Sequence, residues 1–250
     1  MTRAAVVREA VTREIGDGSA NGNGSELRMT VASETVVVID FETTGLSPEQ
    51  GARATEVAAV LVSDGAIVDR FQSLMNAGVR IPPFIESLTG ISNRMIQQAP
   101  GAAEVMRQLA EFVGEIPLVA HNAAFDRKFL ESEFQRIGQP QRAPMLCSMR
   151  MARRIYPTAP NHRLATLVRH ARVAETGAYH RALADAEMTA GLWLRMHEEL
   201  GRTFNLEGVP LALLKKIQSA PCKGLRACVE AYRRSCTILD QGNGRNVGKC

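Results

Sequence analysis

Apolar and polar positions begin to alternate in a regular way at Thr35, where "TVVVID" carries an unbroken run from Val36 to Ile39. Such a run predicts a strand buried on both faces, ending on the acid Asp40. "EVAAVLVSDGAIVDRFQSLM", Glu56 to Met75, predicts two more strands joined at Asp64-Gly65, a dipeptide suited to a tight hairpin turn. Val105, Leu109, Phe112 and Val113 fall at helical spacing within 102–113. A short apolar strand, "IPLVAH", follows, and a helix opens near Ala123 with Phe125, Phe129 and Leu130. "APMLCS" predicts a fifth strand, with helical stretches near 148–155, 162–170 and 181–200. A hairpin followed by strand-helix alternation predicts an α/β domain, with a mixed central sheet of about five strands flanked by helices.

The pattern fades at both ends. Residues 16–27, "GDGSANGNGSEL", are too polar to bury and read as a linker; 3–14 suit a short helix, and Met29 is a candidate start of translation. The glycines there form no phosphate loop, because neither a preceding strand nor a Gly-Lys-Ser/Thr ending is present. "VPLALLKKIQSAPCKGLRACVEAYRR" predicts one or two amphipathic helices broken near Pro221. The expected organisation is a flexible extension over 1–33, one domain over 34–200, and a basic, helical extension over 201–250.

Composition narrows the class. A chain of 250 residues with 45% hydrophobic content can bury one substantial core. No stretch reads as a membrane span or secretory signal, and five cysteines, an odd number, fit a reducing cytoplasm better than a disulfide framework. Residues 201–250 hold nine Lys or Arg against three acids, so they carry more than the whole net charge of +4. From charge alone that excess reads as a solubilising tail rather than as a phosphate-contacting surface.

The acids at the end of the first strand change the picture. Asp40 and Glu42 lie two apart and project to the same side, so two like charges meet beside an apolar core. Protonation, a basic neighbour such as Arg53, or a bound cation would each relieve them. Hard divalent cations such as Mg²⁺ or Mn²⁺ prefer oxygen ligands. A lone Asp-x-Glu more often opens a solvated loop, so other acids must converge on it. "HNAAFD" places Asp126 in the first turns of a helix after the fourth strand, at the carboxyl edge where α/β sheets gather functional groups. "HRALADAEMTA" supplies His180 before a helix and Asp185 inside it, with Ala182, Ala186 and Ala190 forming a small-residue face for close packing. Each segment has a bland reading as a helix-start or solvated polar residue; together they do not.

In this order and at these spacings, "VVVIDFETTGL", "IPPFIESLTGIS", "LVAHNAAFDRKFL", "CSMRMARRIYP" and "HRALADAEMTAGLW" resemble the DEDDh, or DnaQ-like, exonucleases, the family of the bacterial DNA polymerase III proofreading subunits. The resemblance covers about 35–200. It implies a ribonuclease H-like fold and two-metal hydrolysis of nucleic-acid 3′ ends to nucleoside 5′-monophosphates, with Mg²⁺ or Mn²⁺ as cofactors. It also implies roles: Asp40 as bridging ligand, Glu42 and Asp185 on one cation, Asp126 on the other, and His180 as general base. Thr43, Thr44 and Gly45 would line the terminal nucleotide, with Leu88 and Phe125 in apolar contact with its base or sugar. Thr89 stands where those proofreading subunits have a histidine, so that contact does not carry over. DNA is favoured over RNA as substrate, with a polymerase or repair protein as partner. An exoribonuclease trimming RNA ends is the alternative, and a non-catalytic nucleic-acid-binding module the weaker one.

Other features carry less. Cys222, Cys228 and Cys236 are separated by five and seven residues, with no C-x-x-C pair, which argues against zinc. His121 at a strand-helix junction suits backbone capping, and His162 and His170 suit a surface. No clear glutamine-plus-Leu-Phe sliding-clamp motif follows residue 200.

Overall fold

The computed structural model describes residues 32–140, 142–177 and 179–242. The linker, the short helix and the alternative start expected before residue 30 lie outside them.

The apolar run forms β2 (Val36–Thr43), after a two-residue β1 (Ala32–Ser33). β3 (Ala54–Ser63) and β4 (Ala66–Leu74) form the expected hairpin. Its turn residues Asp64 (φ 50°) and Gly65 (φ 75°) both take the left-handed conformation that two-residue hairpins require. β5 (Leu118–Ala120) and β6 (Met145–Cys147) add in parallel, giving a mixed five-stranded sheet in the order β4-β3-β2-β5-β6.

Central position explains the continuous apolar run in β2, because the even and odd residues face different cores. Val36 and Val38 pack with Ala58 and Val60 beneath α5 (Ser148–Ile155) and α7 (Ala182–Phe204). Val37, Ile39 and Phe41 pack on the opposite face with Leu109 of α3 (Ala102–Val113) and Phe129 of α4 (Ala124–Arg136). α7 lies close to the sheet because Ala182, Ala186 and Ala190 are fully buried in that contact.

Two features were not anticipated, a pair of short helices after β4 and a small second sheet. Two short helices, α1 (Pro83–Thr89) and α2 (Asn93–Gln97), bridge β4 and α3. The Asn93 side chain holds them by bonding both the amide and the carbonyl of Ile81, while Glu86 accepts from the Asn93 side chain. After α6 (Leu164–His170) and α7, β7 (Gly208–Val209) pairs with β1 in a separate two-stranded sheet. α8 (Leu211–Ser219) and α9 (Leu225–Gly242) are the expected helices, broken across Pro221, and Leu213, Leu214, Ile217 and Val229 join the core under α7. No helix among the described residues is long and apolar enough to cross a membrane.

Candidate active site

The sheet topology decides where the acids meet. β5 pairs with β2 only at Val37 and Val38, so the Phe41 amide points past the end of its partner strand. Asp126 of α4 fills that gap, and its Oδ1 accepts the Phe41 N–H at 3.3 Å. On the α7 face, Asp40 and Glu42 continue the even series of β2, and Glu42 stands opposite Glu56 of β3. The β2–β3 register shifts immediately after Glu42, where Thr43 pairs with Ala54 and Thr55 is left as the extra residue of a bulge in β3 at the site's edge.

α7 brings the remaining groups. Ligand atoms of Glu42, His180 and Asp185 all lie within 4.8 Å of one another, the one such cluster of metal-ligating side chains among the described residues. The His180 backbone amide donates to Asp185 Oδ2 at 3.0 Å, while Asp185 Oδ1 is buried with no partner. His180 itself is exposed and sits at φ 65°, a left-handed conformation rare for a residue bearing a Cβ.

Burial and mutual repulsion push these carboxyls toward their neutral forms. Burial first, then Asp126, Asp185 and Glu42, raise Asp40 well above the usual carboxylate range. Burial and the charges of Asp185 and Glu56 raise Glu42 to about 8, with Arg181 opposing. Burial raises Asp126 to about 7 against its hydrogen bond from Phe41, and burial also raises Asp185. A site that disfavours its own charge this strongly is matched to added positive charge, and the orphaned Asp185 Oδ1 offers a free donor atom.

Arg53 does not supply that charge, contrary to its candidacy as a neutralising neighbour. Its guanidinium forms a two-pronged pair with the buried Glu133 at 2.7 and 2.8 Å and donates to the Ala77 carbonyl at 3.0 Å. Sequence spacing gave no sign of this, because Glu133 lies far along the chain on α4. The cation that reaches the site is Arg181, which pairs with Glu56. It is adjacent to His180, and no periodicity marked it.

The residues expected to touch substrate divide in two. Thr43 donates to the Gly45 carbonyl at 2.7 Å, and Thr44 Oγ1 accepts the Arg53 amide at 3.0 Å, so both hydroxyls brace the loop after β2. Phe125 is half-buried against Phe129, with ring centroids 5.0 Å apart. Leu88 is exposed, and so are two residues not expected, Phe84 at 75% and Leu46 at 81%. Thr89 is turned inward, donating to Ile85 and accepting from the Ile91 amide. His121 is held by Ser148 Oγ at 2.9 Å and the His162 carbonyl at 3.0 Å, and burial lowers it to about 4, as suits a bracing residue. His162 is half-buried and bonds the Tyr156 carbonyl at 3.1 Å, a correction to its expected surface placement; His170 is exposed. Cys222 is exposed, and Cys228 and Cys236 are half-buried; all three are free.

Acids at the carboxyl edge of a mixed sheet, with a histidine immediately before α7, form a group of side chains that could hold a divalent cation. The exonuclease family model RNase_T matches residues 37–193. DNA polymerase III subunit epsilon of Aquifex aeolicus is 35% identical over 176 residues, covering 70% of this chain and 86% of that protein. DNA polymerase III PolC-type of Bacillus subtilis is 40% identical over 165 residues, which is 65% of this chain but 11% of the relative. The chain therefore spans a small fraction of the PolC-type relatives it matches. Among solved structures, exonuclease X in complex with 5′ overhanging duplex DNA is 26% identical with a TM-score of 0.59, covering 73% of this chain and 99% of that one. The chain belongs to the DEDDh, or DnaQ-like, exonuclease family and has its ribonuclease H-like fold.

Proposed function

We propose that this exonuclease removes nucleotides from single-stranded or frayed DNA 3′ ends as nucleoside 5′-monophosphates, in proofreading or repair. The observation that carries this reading is the crowding of Asp40, Glu42, Asp126 and Asp185 at one sheet edge, where each carboxyl is pushed toward neutrality. These four residues would hold two divalent cations, Mg²⁺ or Mn²⁺, whose charge stabilises the attacking and leaving oxygens of the phosphodiester when bound. His180, exposed beside Glu42 and Asp185, takes the proton from the attacking water. Thr43, Thr44 and Gly45 line the terminal nucleotide. Leu88 and Phe125 contact its base or sugar, and Leu46 and Phe84 extend that apolar rim, a sequence-tolerant surface suited to unstacked ends.

DNA is preferred over RNA in this reading because the relatives above are named as parts of DNA polymerase III. The same names support a polymerase or repair assembly as partner and a cytoplasmic setting. Parallel time courses on 5′-labelled DNA and RNA single strands with Mg²⁺ or Mn²⁺ test it. DNA should shorten stepwise from the 3′ end, faster than RNA, and Asp40→Ala should abolish the reaction. Faster RNA trimming would move the function to RNA 3′ ends; no release, or full release by Asp40→Ala, would sink it.

A further inference from the structure

We infer that Glu56 and Arg181 form a buried latch that positions His180 for proton transfer, an inference that rests on His180 being the general base. Glu56 is a carboxylate with no exposed surface, and such a group is costly unless its oxygens are fully bonded. Four donors meet it. Arg181 gives Nε to Oε2 at 3.2 Å and Nη2 to Oε1 at 3.0 Å. The Ala182 amide, first in α7, donates to Oε2 at 3.1 Å, and Gln72 Nε2 of β4 donates to Oε1 at 2.8 Å.

One side chain therefore ties β3, β4 and the start of α7 together, directly opposite Glu42 in the strand ladder. Three of its four bonds come from the two residues immediately after His180. His180 occupies the left-handed region at φ 65°, a conformation that costs a non-glycine residue about 1–2 kcal/mol and persists only where neighbours hold it. The holding contacts lie on both sides of the strained residue. Asp185 Oδ2 takes the His180 amide, and Glu56 takes Arg181 and Ala182. The Arg181 carbonyl in turn accepts the Asp185 amide at 3.0 Å, which links the latch to the metal-side carboxylate. A bidentate guanidinium fixes direction as well as charge, which an ammonium cannot do. Glu56 and Arg181 are thus positioning residues: neither is placed on the reacting atoms, and both govern where the imidazole stands.

The test is a comparison of kcat and KM on a single-stranded DNA at saturating Mn²⁺ for Arg181→Lys and Glu56→Gln, each made in wild-type and His180→Ala backgrounds. Arg181→Lys keeps a cation beside Glu56 but loses the fork. Glu56→Gln removes the buried charge and leaves Arg181 free to reach solvent, and circular dichroism checks that each variant is folded at the assay temperature. In the wild-type background kcat should fall roughly 10- to 100-fold with KM within about twofold. In the His180→Ala background the same substitution should change the residual kcat by less than about twofold, because the base it positions is gone. Equal losses in both backgrounds, a loss confined to KM, or an unchanged kcat would overturn the latch. Full turnover by His180→Ala alone would instead remove the general-base assignment, so the two failures are distinct.

Discussion

The backbone amide of His180 donates to Oδ2 of Asp185 at 3.0 Å, so the proposed base and a proposed metal ligand share one hydrogen bond. The bond occupies one carboxylate oxygen and leaves the other buried and unpartnered. Separate contributions from the two residues are then expected, Asp185 to cation binding and His180 to the proton.

Replacing His180 with alanine should retain Mn²⁺ binding while turnover falls about 10²- to 10⁴-fold, the usual contribution of a general base. Calorimetric titration alongside mononucleotide release checks both halves. Unchanged turnover contradicts the assigned role.

Without metal, the protein should lose stability as pH rises. Glu42 goes from an ordinary 4.5 to about 8 on folding, and Asp126 from 3.8 to about 7, so the folded state binds more protons than the unfolded chain between those limits. The stabilising effect of these protons is complete below about pH 4 and disappears as pH passes about 8. Thermal melts of chelator-treated protein should show Tm falling from pH 5 to 8. Saturating Mg²⁺ should flatten that decline by binding the ionised form; an equal decline with Mg²⁺ contradicts the coupling.

Arg53→Ala should destabilise the fold by about 1–3 kcal/mol, because the buried Glu133 loses its two-pronged partner and keeps only Arg136 at 4.0 Å and the Ala54 amide at 3.4 Å. Chemical denaturation measures the loss. Mn²⁺ affinity of the folded variant should stay within about twofold of wild type, since the guanidinium faces α4 rather than the acids. A large change in affinity would return Arg53 to the site.

Phe84→Ser should raise KM for single-stranded DNA severalfold while stability moves by less than about 0.5 kcal/mol, as for other exposed positions. Steady-state kinetics with a thermal melt separates the two. An unchanged KM would remove Phe84 from the substrate surface.

The parts of the fold legible in the sequence are those whose pattern is local. The β2 run, the Asp64-Gly65 turn and the 102–113 helix each follow from residues close together in the chain, and the structure shows them there. β5 and β6 are only three residues each, shorter than the apolar stretches that announce them, because strand length depends on how far a neighbour runs alongside. α1 and α2 are too short for a periodic signal and are held by the Asn93 side chain instead.

The same distinction runs through the site. Asp40 and Glu42 announce themselves by spacing two apart on a buried strand, and the small-residue face of α7 announces its close approach. Pairings between distant segments do not. Arg53 with Glu133 and Arg181 with Glu56 join residues separated by 80 and 125 positions, so the nearest basic residue in sequence was the wrong one to pair with the acids. Phe84 and Leu46 likewise look like core residues until the sheet leaves them outside.

The central claim is that buried negative charge at the end of β2 marks a cation site. Calorimetric titration of Mn²⁺ into chelator-treated wild type and Asp126→Asn tests it most directly, since asparagine keeps the shape of the side chain and removes its charge. Saturable binding to wild type and weakened or lost binding to the variant are expected, with both proteins folded. No binding to wild type, or the same isotherm for both, would contradict it.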